Sequence, residues 1–168
     1  MLNNTQLREL IIRPVLDDLN MYSDDAMELL VFTCAAESNG GEFLKQVKGP
    51  ALGIYQMEPA THNDIWNNYL KHRLQTSQIM AMKFDCPTIP YAERMIHDLR
   101  YATAMARLHY RRVKYALPDR KDGEAMWSYY KEHYNTPLGK AKKSHAFKAY
   151  RQMTGIDLSA SASQTSKS

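Results

Sequence analysis

Ser23-Asp-Asp-Ala-Met-Glu-Leu-Leu-Val-Phe-Thr-Cys-Ala-Ala-Glu37-Ser38-Asn-Gly-Gly41 is the stretch on which the reading of this chain turns. Ser23 is a good helix N-cap, and Asp24 and Asp25 place negative charge at the positive end of the helix dipole. Met27, Leu30, Val31 and Cys34 recur at helical spacing, while Leu29, Phe32 and Ala35 widen the apolar face, so the helix is expected to be mostly buried. Gly40-Gly41 should stop it, because glycine takes left-handed backbone angles without steric cost. Glu37 then falls in the last turn. The negative end of the dipole and the apolar surroundings both disfavour its ionised form and should raise its pKa. A carboxyl that keeps its proton near neutral pH can serve as a general acid. A solvated glutamate is the commoner fate of such a residue, so its neighbours decide.

A short polar passage leads to Gly49-Pro-Ala-Leu-Gly53-Ile-Tyr-Gln56-Met-Glu-Pro59-Ala-Thr61. Phe43, Val47, Ile54 and Tyr55 are interleaved with polar residues and glycines, which predicts a small β-hairpin or irregular loop over 42–57. Glu37-Ser38 followed at this spacing by Gly49-x-Ala-x-Gly53-Ile-x-Gln56-Met-x-Pro59-x-Thr61 resembles the signature of the lytic transglycosylases. That signature runs Glu-Ser, a polar hairpin, then Gly-Ala-x-Gly-Leu-Met-Gln-hydrophobic-Met-Pro-x-Thr. Pro50 and Glu58 depart from it, and neither touches the acid. Several fixed positions at fixed spacing carry more weight than a lone Glu-Ser pair.

The resemblance implies a mainly α, lysozyme-like (α+β) domain over residues 1–156, with the 42–57 segment forming one wall of a cleft beside the catalytic helix. It implies cleavage of the MurNAc-β-1,4-GlcNAc bond of peptidoglycan glycan strands, with Glu37 as the catalytic residue. Ser38, Tyr55 and Gln56 are then expected at the substrate. The family also carries a late Ala-Tyr-Asn-Ala-Gly motif whose tyrosine enters the cleft, and this chain lacks it intact. Counting from Asp122-x-Glu124 puts Tyr130 there, with Lys131 in place of the asparagine. Matching Tyr-Asn directly gives Tyr134-Asn135. Both registers remain open in the sequence. Hydrolysis on the same scaffold, with Glu58 or Asp64 activating water, is an alternative, as is a non-enzymatic virion protein that binds glycan.

The rest of the chain predicts a helical body. At 168 residues, with 44% hydrophobic and 24% charged residues, one globular domain is expected. Residues 5–20 read as an amphipathic helix kinked or restarted at Pro14. Pro59 opens a helix that carries Ile65, Trp66, Tyr69 and Leu70 to about Arg73, with Trp66 in the core. Thr76–Phe84 should be short and helical, followed by a turn at Pro87 and Pro90. Residues 91–116 form the longest periodic segment, with Arg94, Arg100, Arg107, Arg111 and Arg112 mostly off its apolar face. Asp122 or Gly123 opens a helix that Asn135-Thr136-Pro137-Leu138-Gly139 breaks, and Ser144–Met153 is the last helix. Residues 157–168 offer little to bury and are expected to be disordered.

The net charge of +4 suits an acidic polymer such as the cell wall. No basic run with interleaved aromatics points to nucleic acid. Cys34 reads as a small buried thiol, and a single bridge to Cys86 stays open. The six histidines form no metal-binding spacing, so neither metal nor other cofactor is expected. The N-terminus has no long apolar h-region, so no secretory signal is expected, nor is a membrane span. A wall-cleaving enzyme without a leader would travel in a phage particle beside other virion proteins, or wait in the host cytoplasm until lysis.

Overall fold

The computed structural model describes residues 1–136 and 139–160, and the chain is mainly helical. Helix α1 is built from three consecutive pieces, Asn4–Gln6, Leu7–Ile12 and Arg13–Asp18. The middle piece is π-helical, and its end is marked by Arg13 N–H donating to Arg8 O, just before Pro14. A proline has no N–H to continue the ladder, so the expected restart takes the form of a π-bulge.

Helix α2, Asp24–Ser38, is the centre of the molecule. Ser23 caps it by accepting from Ala26 N–H at 3.0 Å. Eleven of its fifteen residues are buried. Its left-handed cap is Asn39 (φ 51°), one residue ahead of the expected glycine pair. Asparagine tolerates this conformation better than other non-glycine residues. Helix α3 runs through Pro59–Asp64, Ile65–Tyr69 and Leu70–His72, and α4 spans Leu74–Lys83. The long helix expected over 91–116 is two: α5, Arg94–His97, and α6, Leu99–Arg111. Asp98 interrupts the periodicity, because its extended backbone lets its carboxylate cap Tyr101 N–H at 2.9 Å. Helix α7 is Gly123–Tyr130, capped by Asp122, and continues as a π-turn over Lys131–Asn135. Its expected breaker lies partly outside the described residues, at Pro137 and Leu138. Helix α8, Lys143–Thr154, ends at left-handed Gly155.

Buried polar ties fix the helices around α2. Arg8 of α1 forms a two-pronged pair with Glu28 of α2 at 2.9 and 2.7 Å, and Tyr150 of α8 donates to the same carboxylate. The Thr33 and Tyr110 hydroxyls join α2 to α6 at 2.7 Å. His62 Nε2 and Trp66 Nε1 meet the Tyr101 hydroxyl at 2.7 and 2.9 Å, which joins α3 to α6 and places Trp66 in the core. Arg107, expected off the apolar face, is buried. Cys34 and Cys86 are both buried and free. The expected disorder from residue 157 does not hold at its start: Leu158 is buried, and a Cβ on Gly123 would lie 2.7 Å from its Cβ. Residues 161–168 lie outside the described residues.

The segment over 42–57 is an irregular loop. Two isolated antiparallel bridges, Lys45 with Leu52 and Leu52 with Met57, are its only ladder contacts, and no strand is present among the described residues. Gly53 (φ 74°) anchors it: its N–H donates to Leu44 O at 2.8 Å, and a Cβ there would stand 2.3 Å from Met95 O. Gly155 shares the left-handed backbone (φ 77°) but faces open space. Gly155→Ala is therefore expected to cost only the backbone term, about 1 kcal/mol. Gly53→Ala must also displace the α5 backbone from the loop, and is expected to cost at least twice that. Denaturant midpoints of the two variants compare these directly; equal losses would contradict the loop anchor.

Candidate active site

A cleft of about 630 Å³ opens where the C-terminal end of α2, the 42–57 loop and the π-turn of α7 converge. Ala36 and Glu37 come from α2, Gln46, Gln56, Met57 and Glu58 from the loop and its exit, and Thr61 from α3. His109 of α6 and Tyr130, Tyr134 and Asn135 of α7 complete the wall with Gly139, Lys140 and Ala141.

Glu37 is half-buried, at the position the helix reading gave it. The Tyr130 hydroxyl donates to its Oε1 at 2.7 Å. Burial pushes the Glu37 carboxyl up to about 7, because little water remains to solvate its charge. The Tyr130 and Asn135 hydrogen-bond donors and the Lys131 charge oppose this rise and do not cancel it. Burial, and then the neighbouring Glu37 charge, push the Tyr130 phenol upward, so it stays protonated and acts as a donor. Tyr130 is itself held by Phe32, edge-on at 5.6 Å, and by Trp127 at 5.7 Å.

Both late registers of the sequence reading arrive at the cleft, in different roles. Tyr130 touches the acid. Tyr134 stacks on Tyr130 at 6.2 Å and 20°, and its hydroxyl donates to Tyr55 O at 2.8 Å, which pins the loop to α7. Asn135 Oδ1 accepts from Lys131 Nζ at 2.7 Å, and the same ammonium donates to Gly139 O at 2.5 Å. Lys131, where the motif has asparagine, thus closes the chain around the rim.

Gln56 also lines the cleft. It sits at φ 45° and donates from Nε2 to Gly53 O at 2.8 Å, so the turn itself orients the amide. Two expected substrate contacts are corrected. Ser38 is fully buried; its hydroxyl donates to Ile54 O at 2.6 Å and accepts from Gly41 N–H at 2.8 Å. A serine one residue after the acid is turned about 100° around the helix axis from it, and there it fastens the loop. Tyr55 is likewise buried, with its hydroxyl 3.1 Å from that of Thr103. Its backbone carbonyl, not its ring, serves the site.

Of the two alternative bases, Glu58 lies on the cleft wall and Asp64 does not: Asp64 is paired with Arg112 at 2.6 Å and with Asn68 at 2.7 Å. His109 was not singled out by the sequence. It packs edge-on to Tyr134 at 4.9 Å, and no motif connects α6 to the acid. Among the described residues no group of three His, Cys, Asp or Glu side chains could hold a metal ion. No protein-family model matches the chain, and no curated protein or solved structure matches it.

The raised Glu37 pKa has a signed effect on stability. Between its ordinary 4.5 and about 7, the folded chain holds a proton that the unfolded chain releases. Stability is therefore full below the lower value and declines as pH rises through the window. Glu37→Gln mimics the protonated carboxyl and removes that penalty. The variant is expected to match the parent in stability at pH 4 and to exceed it by roughly 1–3 kcal/mol at pH 8. Urea denaturation at the two pH values checks this; a variant no more stable at pH 8 would contradict a raised pKa.

Proposed function

We propose that this chain is a lytic transglycosylase: a lysozyme-like domain that cleaves the MurNAc-β-1,4-GlcNAc bond of peptidoglycan, with Glu37 as its one catalytic acid and base. The observation that carries the reading is a carboxyl held by a tyrosine donor, its pKa raised by burial to about 7, on the wall of a cleft of about 630 Å³. The motif from Glu37 to Thr61 supports it independently.

Glu37 gives its proton to the glycosidic oxygen as the C1–O4 bond breaks, and an oxocarbenium-like C1 develops. The substrate's own N-acetyl carbonyl supports that centre. Glu37, now a carboxylate, takes the proton from the muramyl C6 hydroxyl, and O6 bonds to C1. A 1,6-anhydro product leaves, Glu37 is protonated again, and no water is consumed. A pKa near the working pH suits a group that must donate and then accept. Tyr130 steadies the carboxylate between the two steps, and Gln56 and Asn135, which both line the cleft, bind the sugar. Delivery in a phage particle, for wall penetration or lysis, accords with such an activity. No helix among the described residues is long and apolar enough to cross a membrane.

Hydrolysis is the second reading, and Glu58 on the cleft wall favours it, since a second carboxylate there could activate water. Mass spectrometry of digested peptidoglycan separates the two. Transglycosylation gives anhydro ends lighter by one water and survives Glu58→Gln. Hydrolysis gives reducing ends and is lost in that variant. In either case Glu37→Gln is expected to lower fragment release by about 10²–10⁴-fold, the usual worth of a positioned general acid. Wild-type release by that variant, or wall binding without any release by the parent, would refute the enzymatic reading.

A further inference from the structure

On the cleft wall, His109 is fixed by a partner that lies outside the site. Arg112 Nη2 lies 2.6 Å from His109 Nδ1, and Arg112 Nη1 donates to Asp64 at 2.6 Å. A guanidinium has only donors, so Nδ1 must accept. The ring is therefore the tautomer that carries its proton on Nε2. His109 lines the cleft, and with Nδ1 tied to Arg112 the one donor left on its ring is Nε2–H. The ring is also braced edge-on by Tyr134 at 4.9 Å.

We propose that His109 is a specificity-determining residue whose Nε2–H donates to the acetamido carbonyl of a bound N-acetylhexosamine. The assignment rests on the reading of the cleft as a glycan site. Nε2–H donates and cannot accept, so it is matched to an acceptor-only oxygen, and the acetamido carbonyl is such an oxygen. A sugar hydroxyl both donates and accepts, and a fixed single donor selects for it poorly. The imidazole stays neutral: burial, and then the Arg112 charge, hold it well below its ordinary value, at about 4. A neutral donor does not attract carboxylates or phosphates as a lysine would, and so preserves the preference for an amide. Lys131 at the rim is already tied to Asn135 Oδ1 and Gly139 O.

The test uses the full chain and ¹⁵N-histidine NMR. In the free protein, His109 is expected to show a protonated Nε2 and an unprotonated Nδ1, and Arg112→Met to release the other tautomer. Adding N-acetylglucosamine trimer should shift the Nε2 and Hε2 signals. Cellotriose, with hydroxyls in place of acetamido groups, should leave them unmoved. His109→Phe is expected to weaken trimer binding about tenfold, the worth of one such hydrogen bond. His109→Gln, which keeps an N–H donor, should recover part of the loss. A protonated Nδ1 in the free protein overturns the proposal. So does trimer binding that shifts Gln56 and Asn135 while His109 stays still, an outcome that leaves the glycan reading intact. If the trimer shifts no cleft residue and the parent releases no wall fragments, the glycan reading fails and this proposal with it.

Discussion

One part-buried hydrogen bond, from the Tyr130 hydroxyl to the Glu37 carboxyl, joins the two ends of the chain's chemistry. The Tyr130 hydroxyl orients the carboxyl, and the opposing pull of Tyr130, Asn135 and the Lys131 charge is too small to return its pKa to the ordinary range. Much of the architecture serves that contact. Helix α2 must be apolar enough to withhold water, and it must end at Asn39 so that Glu37 reaches the cleft. Helix α7 must lie close enough for Tyr130 to reach across, and the edge contact with Phe32 of α2 sets that distance.

The loop over 42–57 depends on the same two helices. Ser38 holds it from α2 through Ile54 O, Tyr134 holds it from α7 through Tyr55 O, and Gly53 lets it approach α5. With few ladder hydrogen bonds of its own, the loop takes its shape from these three anchors. Gln56 is thereby presented at the cleft without a strand to carry it. Residues that resemble substrate contacts in sequence, Ser38 and Tyr55, prove on this view to be fasteners for the residues that do line the site.

The helical body was legible in the chain wherever periodicity and caps agreed. Ser23 and Asp122 cap as expected, Pro59 opens its helix, and Gly155 closes the last one. Glu37 was legible because its position follows from where an apolar run meets its stop signal. The break at Asp98 was not, since a single aspartate in a periodic segment reads equally as an exposed position and as a cap. The choice between Tyr130 and Tyr134 was undecidable for a geometric reason: residues four apart on a helix share a face, so either could enter the cleft. Both do. The buried end of the tail was missed because one leucine among small polar residues gives no pattern, and its partner, Gly123, is distant in sequence. His109 was invisible for the same reason, as its meaning lies in Arg112 and Tyr134 and not in any spacing.

The central claim is that the Glu37 carboxyl keeps its proton near neutrality. Titration of ¹³C-labelled glutamate side chains by NMR, with Glu37→Gln identifying the resonance, measures this directly. The Glu37 signal is expected to titrate at about 7. A midpoint in the ordinary carboxylate range, about 4–4.5, would contradict it.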